Sequence, residues 1–292
     1  MAISRTQLVK ELEPGLNALF GLEYKRYENQ HAEIYVTESS DRAFEEEVML
    51  SGFANAQVKA EGQGVSFDTA QETYTARYTH DTVALAFAIT EEAIEDNLYD
   101  RLASRYTKAL ARSMSNAKQV KAAKPLNDGL PSTDNFDSGD GVSLFSTNHA
   151  TVSGTAVKNT LTTQADLNET SLEQALIDIS AMTDERGLRV AARAMKMIIP
   201  SANQFTAERL MKSQGRTGTA DNDINAVVSM GMVPQGYRVN NFLTDTDSWY
   251  LITDVPNGMK MFQRAALKTA MEGDFDTGNV RYKARERYSF GV

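Results

Sequence analysis

Cysteine is absent from all 292 residues, which excludes disulfides and thiolate metal sites. Histidine is nearly absent too: only His31, His80 and His149 occur. None has a partner at helical metal spacing and no Glu motif flanks them. A metal site needs three or four converging donors, so each histidine reads as a surface or locally hydrogen-bonded residue. No apolar run approaches the ~20 residues needed to cross a bilayer. The opening Met1-Ala2-Ile3-Ser4-Arg5 lacks the basic start and apolar block of a secretory signal. These absences lead us to expect no metal, no cofactor, no membrane partner, and assembly in a reducing cytoplasm.

Positive charge is also in the minority. Lys and Arg number 30 against 39 Asp and Glu, a net charge of -9. Proteins that track phosphates usually concentrate cations on one face, because phosphate neutralisation supplies most of their affinity. Here the cations are scattered, except at Lys118, Lys121 and Lys124 and in the tail at Arg281, Lys283, Arg285 and Arg287. Sequence-specific nucleic-acid binding is therefore not expected. What the chain does contain is ordinary for a folded protein: 41% hydrophobic and 24% charged residues, at a length near which one core tends to split in two.

No coherent catalytic set emerges. Asp134 to Asp140 superficially resembles a calcium loop, yet Phe136 sits where an oxygen ligand belongs and no bidentate Glu follows; a solvated turn is expected. Gly215-Arg216-Thr217-Gly218-Thr219 lacks the Lys-Ser/Thr ending of a phosphate loop. No serine occupies a nucleophile elbow, and Asp245 with Asp247 reads as a turn before Trp249. We expect no enzyme.

The element pattern is more informative. Leu8, Leu12, Leu16, Leu19 and Phe20 form an apolar stripe that Pro14-Gly15 interrupts, which predicts two short helices in a terminal arm. Ser39-Ser40-Asp41 predicts a helix cap before Phe44. Residues 57–89 read as two strands, Gln57 to Phe67 and Thr73 onward. The second changes side-chain parity between Tyr78 and Val83, which predicts a bulge or bend near Thr79–Thr82. Thr90 caps a long helix with its stripe at Ile94, Leu98, Leu102, Tyr106, Leu110, Met114 and Ala117, stopped by Pro125. Leu144-Phe145-Ser146 reads as a short strand, and Thr170-Ser171 as the cap of a helix through Leu172, Leu176 and Ile179, ending at Gly187. Lys196 to Ile199 predicts a buried strand, followed by a third helix through Ala207 and Leu210 capped by Ser201 or Asn203. Strands are expected at Gly236–Asn240, Ser248–Thr253, Met261–Ala270 and Asn279–Tyr288. Helices and strands without βαβ alternation indicate an α+β protein.

Several short patches then coincide. They are Phe87-Ala88-Ile89-Thr90 to Ile94-Glu95-Asp96-Asn97; Leu144-Phe145-Ser146-Thr147-Asn148-His149 with Asn159; Thr183-Asp184-Glu185-Arg186-Gly187 leading into Met197-Ile198-Ile199-Pro200; and Trp249-Tyr250-Leu251. In this order and spacing the chain resembles tailed-bacteriophage major capsid proteins of the Hong Kong 97-type fold, nearest the Mu-like major head subunits. The resemblance implies an N-terminal arm over 1–45 and an extended β-hairpin loop over 46–89 lying across an adjacent subunit. It further implies a peripheral domain over 90–164 with a long spine helix, an axial domain over 165–257, and return strands over 258–292. It implies a structural head protein whose main partner is itself, as hexamers and pentamers of an icosahedral virion capsid around double-stranded DNA. Scaffold, portal and decoration proteins are further partners of such shells, which are assembled in the host cytoplasm and approach DNA without specific binding. The residues expected to touch neighbouring subunits are Leu12, Leu16, Phe20, Lys59, Phe67, Tyr74, Arg77 and Tyr78. Some relatives weld subunits through a Lys–Asn bond, but Lys59 has no matching Asn partner and no crosslink is expected. An encapsulin-like compartment shares the implied fold and is the alternative.

Overall fold

A computed structural model describes residues 5–90, 92–93, 99–130, 138–215, 223–274 and 277–292 of the chain. It is a mixed α+β protein that divides into two compact units, one of residues 1–45, 78–122 and 260–291, the other of 46–77 and 123–259 with Val292.

The first unit is organised around strand β9, Val280–Gly291, whose residues alternate between buried and exposed for most of its length. It pairs antiparallel with β8, Lys260–Gly273, and with β4, Asp81–Ile89. The short strand β1, Val36–Ser39, adds in parallel to β8 and completes a four-stranded sheet in the order β1-β8-β9-β4. Helix α1, Arg5–Arg26, and helix α2, Tyr99–Asn127, bring Leu16, Phe20, Leu110, Ala111 and Met114 into one core with Tyr282 and Ala284. The predicted break at Pro14 does not occur: α1 continues through it. Proline removes a single hydrogen bond, and the anchoring of Leu16 and Phe20 in the core on the next turns holds the helix together.

Pro125 likewise fails to stop α2, which runs two residues further to Asn127. The chain turns at Gly129, where a Cβ would lie 2.5 Å from the Pro125 carbonyl oxygen, so only glycine fits. At 1.5 Å per residue α2 is roughly 40 Å long. Of the predicted helix start, Ala93 N–H donates to Thr90 Oγ1 at 3.4 Å, while Ile94 and Leu98 lie outside the described residues.

The second unit has its own core and sheet. Strand β5, Ala194–Ile199, is flanked by β6, Tyr237–Val239, in parallel and β7, Tyr250–Thr253, antiparallel. Helix α3, Glu169–Ser180, packs Leu172, Leu176 and Ile179 against Met197 and Ile199. Its N-cap is Asn168 rather than Thr170: the Asn168 side chain accepts from Ser171 N–H while Ser171 Oγ accepts from Asn168 N–H. It stops at Ser180, short of Gly187. Helix α4, Gln204–Lys212, buries Ala207 and Leu210, with neither Ser201 nor Asn203 making a cap bond; a short helix α5, Ala226–Ser229, follows.

Three further expectations need correction. The expected cap at Ser39-Ser40-Asp41 instead precedes strand β2, Phe44–Leu50, because Ser40 Oγ bonds Glu45 and His80 rather than a helix N–H. Strand β2, not Gln57–Phe67, is the partner of β3, Glu72–Thr79; residues 52–71 form no strand. Leu144-Phe145-Ser146 is also not a strand; Phe145 N–H bonds the Gly129 carbonyl in a loop. The parity change predicted near Thr79–Thr82 has a clear origin. β3 ends at Thr79, β4 begins at Asp81, and the two belong to different sheets, with His80 as the extra residue between them.

Within the first unit, Glu286 is completely buried and Lys118 nearly so, with Nζ 2.6 Å from Glu286 Oε2. Lys118 Nζ also lies 5.0 Å from the Tyr288 ring centre and 5.8 Å from that of Tyr24. Burial raises the Glu286 carboxyl above its ordinary value, and the Lys118 charge pulls it back only in part. Breaking a buried pair leaves one charge uncompensated, at a cost of about 3–5 kcal/mol, whereas replacing both partners by apolar residues is often neutral. We predict that Lys118→Met lowers the unfolding free energy of this unit by about 3–5 kcal/mol, and that Lys118→Met with Glu286→Leu restores most of it. Urea unfolding monitored by tyrosine fluorescence checks the difference between the single and double variants.

Candidate functional site

The feature of the second unit that most departs from a self-contained fold is residues 52–71, which are exposed along their whole length. Val58 is 100% and Phe67 97% exposed, with Phe53 and Val65 above half. Inside the segment the backbone closes one turn, Gln63 N–H to the Ala60 carbonyl at 3.2 Å, next to Gly62 at φ 79. Unpaired backbone edges beside bare apolar side chains make a template for another chain.

The neck of this segment is closed by a specific network. Ser51, almost fully buried, donates its N–H to the Gln71 carbonyl at 2.8 Å, and its Oγ accepts Gln71 N–H at 2.9 Å. Asp68 accepts the N–H groups of Ala54 at 2.7 Å and Thr69 at 2.8 Å. Those two bonds, that of Ala54 first, hold its carboxyl below the usual value. Arg186 spans the neck, donating to the Thr69 carbonyl at 2.7 Å, the Gly52 carbonyl at 3.2 Å and Ser51 Oγ at 3.4 Å. A tight turn aims Arg186: Asp184 Oδ1 accepts from the N–H groups of Arg186 and Leu188, and Gly187 takes φ 82. Sequence reasoning quoted Thr183 to Gly187 without giving Arg186 a role; its signal was a glycine turn presenting a cation.

The residues expected to contact neighbours divide into three groups. Lys59 and Phe67 stand on the exposed segment. Tyr74, Arg77 and Tyr78 are engaged within the chain. Tyr74 packs so closely on Gly139 that a Cβ there would lie 2.6 Å from the ring. Its hydroxyl is pushed up by burial, then by the charges of Asp140 and Glu185. Arg77 pairs with Glu46, its Nε 2.7 Å from Oε1, and Tyr78 stacks on Phe262 with ring centres 5.4 Å apart. Leu16 and Phe20 point into their own core at 7% and 2% exposure. Burying them against Tyr282 satisfies the same apolar stripe locally. The side chain of Leu12 lies outside the described residues.

The three histidines are all hydrogen-bonded locally. His31 accepts from Gln119 Nε2 at 3.0 Å, and burial first, then the Lys118 charge, lowers its pKa. His80 bridges Ser40 Oγ at 2.8 Å and Ser289 Oγ at 2.9 Å. His149 Nδ1 meets Asp140 Oδ2 at 2.7 Å. That contact corrects the expected solvated turn at its C-terminal end: Asp140 is nearly buried, whereas Asp134 to Asp137 lie outside the described residues. Burial alone would raise the Asp140 carboxyl, but hydrogen bonds led by Ser138 and His149 hold it below its ordinary value. This His–Asp pair is not arranged as a triad, because Ser138 bonds the carboxylate and His149 Nε2 has no hydrogen-bond partner. Among the described residues no group of three or more acidic or histidine side chains could hold a metal ion. No helix is long and apolar enough to cross a membrane, again among the described residues.

Charge-assisted hydrogen bonds contribute about 1.5–3 kcal/mol each. Arg186→Ala is therefore expected to speed amide hydrogen exchange at Ser51 and Gln71 by roughly 10–100-fold. Exchange in the core strand Ala194–Ile199 should be unchanged, as measured by exchange mass spectrometry.

A family model described as phage capsid protein matches residues 73–292. No curated protein matches the chain. Among solved structures, the chain is similar to the virus-like particle from Pyrococcus furiosus at 11% identity, over 95% of this chain and 93% of that one, with a TM-score of 0.53. It is also similar to the bacteriophage JBD30 capsid at 11% identity, over 75% of this chain and 92% of that one, with a TM-score of 0.55. The same figures at 12% identity describe the JBD30 capsid decorated with minor capsid protein trimers. At such identities the likeness is one of fold, and the exposed segment precedes the family-matched stretch.

Proposed function

The chain belongs to the phage capsid protein family, and from that premise we propose that it is a major capsid protein of the Hong Kong 97-type fold, nearest the Mu-like head subunits. In this reading it assembles as hexamers and pentamers into an icosahedral virion shell around double-stranded DNA. The observation that carries the proposal is the bare segment 52–71, held at its neck by Arg186 and Ser51 yet sharing no core with its own chain. A lone molecule gains nothing by presenting Val58 and Phe67 to water. A neighbour's surface would cover both, along with the unpaired backbone.

The proposed division of labour follows the family resemblance and cuts across the two compact units. Residues 46–89 contain the intersubunit loop, with Lys59 and Phe67 among its contacts. Residues 90–164 and 258–292 form a peripheral domain whose spine is α2. Residues 165–257, with the core around Leu172 and Met197, form an axial domain surrounding the hexamer and pentamer centres. Individual contacts on such a loop are weak, so misplaced subunits dissociate before the shell closes. Decoration proteins, seen as trimers on the similar JBD30 capsid, together with scaffold and portal, are the further partners this reading admits. Assembly takes place in the host cytoplasm.

The second reading is an encapsulin-like compartment. It is favoured by the Pyrococcus furiosus particle, which covers nearly the full length of both chains.

We expect negative-stain microscopy and light scattering of the purified chain to show closed particles, or rings of five or six. Val58→Asp with Phe67→Asp should reduce assembly at least tenfold in yield while shifting thermal stability little, since exposed substitutions stay within about 0.5 kcal/mol. Normal assembly of that variant, or a native chain that stays monomeric under every condition, sinks the proposal. Nuclease-protected DNA inside the particles favours the virion; a protein cargo favours the compartment.

A further inference from the structure

The net charge of -9 conceals a strongly basic surface on the first unit. Along β9 the residues Val280, Tyr282, Ala284, Glu286 and Tyr288 are buried, which turns Arg281, Lys283, Arg285 and Arg287 to the opposite face of the sheet. Their cross-strand neighbours leave them uncovered. On β4 these are Ala88, Ala86, Ala84 and Thr82, all exposed. On β8, Ala270 lies opposite Lys283 and Lys268 lies opposite Arg285.

Among the described residues, acid occurs only at one end of this face: Asp274 pairs with Arg281, and Glu272 lies opposite it. At the other end Arg287 Nε donates weakly to the His80 carbonyl at 3.4 Å. Between them Lys283, Arg285 and Lys268 have no ion pair or hydrogen bond among the described residues. Like charges directly opposite on neighbouring strands destabilise a sheet. The Lys268–Arg285 pair is therefore a local cost with no compensation among the described residues, the kind of conflict that marks a binding surface.

We infer that this sheet face is a contact surface for the phosphodiester backbone of duplex DNA. Alternate residues on one strand stand about 6.6–6.8 Å apart, so β9 presents a row of cations to a polyanion, with the guanidinium forks of Arg285 and Arg287, neither of them in an ion pair among the described residues, suited to phosphate. The flat alanine flanks offer nothing that could enter a groove, so contact is to phosphate and independent of sequence. An acidic segment of a second copy is less well matched. The densest acidic run among the described residues, Glu45-Glu46-Glu47, is already engaged through Ser40, Arg77 and an internal contact of Glu47. The inference deepens the shell reading and rests on it for the source of the DNA, since it identifies the face turned toward the enclosed genome.

The test is binding of the full chain to a labelled random-sequence DNA duplex by fluorescence anisotropy, titrated between about 50 and 200 mM salt. Lys283→Glu with Arg285→Glu should weaken binding roughly 10–100-fold and flatten the salt slope by about 2. Lys108→Glu with Arg112→Glu, an equal charge change on the exposed side of α2, should leave affinity within about threefold. No binding by the native chain, or equal losses in both variants, overturns the inference. Particle assembly is read in parallel. If the β9 variant no longer forms particles, the face is a subunit contact: the inference fails and the shell reading survives. If the native chain forms no particles yet binds DNA through Lys283 and Arg285, the shell reading fails and the surface assignment stands.

Discussion

The two-residue side-chain period of an extended strand is the constraint on which most of the first unit depends. Strand β9 is paired on both edges, so its two faces have no freedom to exchange roles. One face must supply the core, and Tyr282, Ala284 and Tyr288 do so against α1 and α2. The other must be whatever lies between them in sequence, here a row of Arg and Lys. A one-residue slip would bury the cations and expose the tyrosines, so the register is strongly specified. Glu286 shows how strict this is: its position on the core face forces a carboxylate into the interior, and Lys118 on α2 has to follow it there.

The same period explains the handover at His80. β3 and β4 serve different sheets, so their inward faces need not share parity, and one residue between them resets it. That residue is not left idle. It is pinned by Ser40 and Ser289, and burial first, then the charge of Arg287, keeps its imidazole pKa low, so it adds no charge to the junction near neutral pH.

Segment 52–71 obeys a different logic. Its neck is closed by several hydrogen bonds, while the rest has one backbone turn bond and no side-chain burial. A hydrogen-bonded neck on so exposed a segment separates direction from contact: the chain fixes where the segment leaves and covers little of what it carries. Under the proposed shell reading that arrangement has a purpose, since a subunit surrounded by copies of itself can leave part of its burial to them.

Local pattern alone was enough for much of this. Leu110 and Met114 on α2, the stripe of α3, the strands expected at 196–199 and 279–288 and the general α+β class follow from periodicity, because a buried face repeats at 3.6 or 2.0 residues whatever it packs against, although Tyr106 of the expected α2 stripe is exposed. The alternation of Arg and Lys after 281 was visible too, though not which face it occupied. Tertiary structure decided what depends on non-local partners: that β2 rather than 57–67 pairs with β3, that Leu16 and Phe20 turn inward, that α1 runs through Pro14, and that Arg186 closes a neck more than a hundred residues away. A period states that a face will be buried. Only the meeting of distant segments states by what.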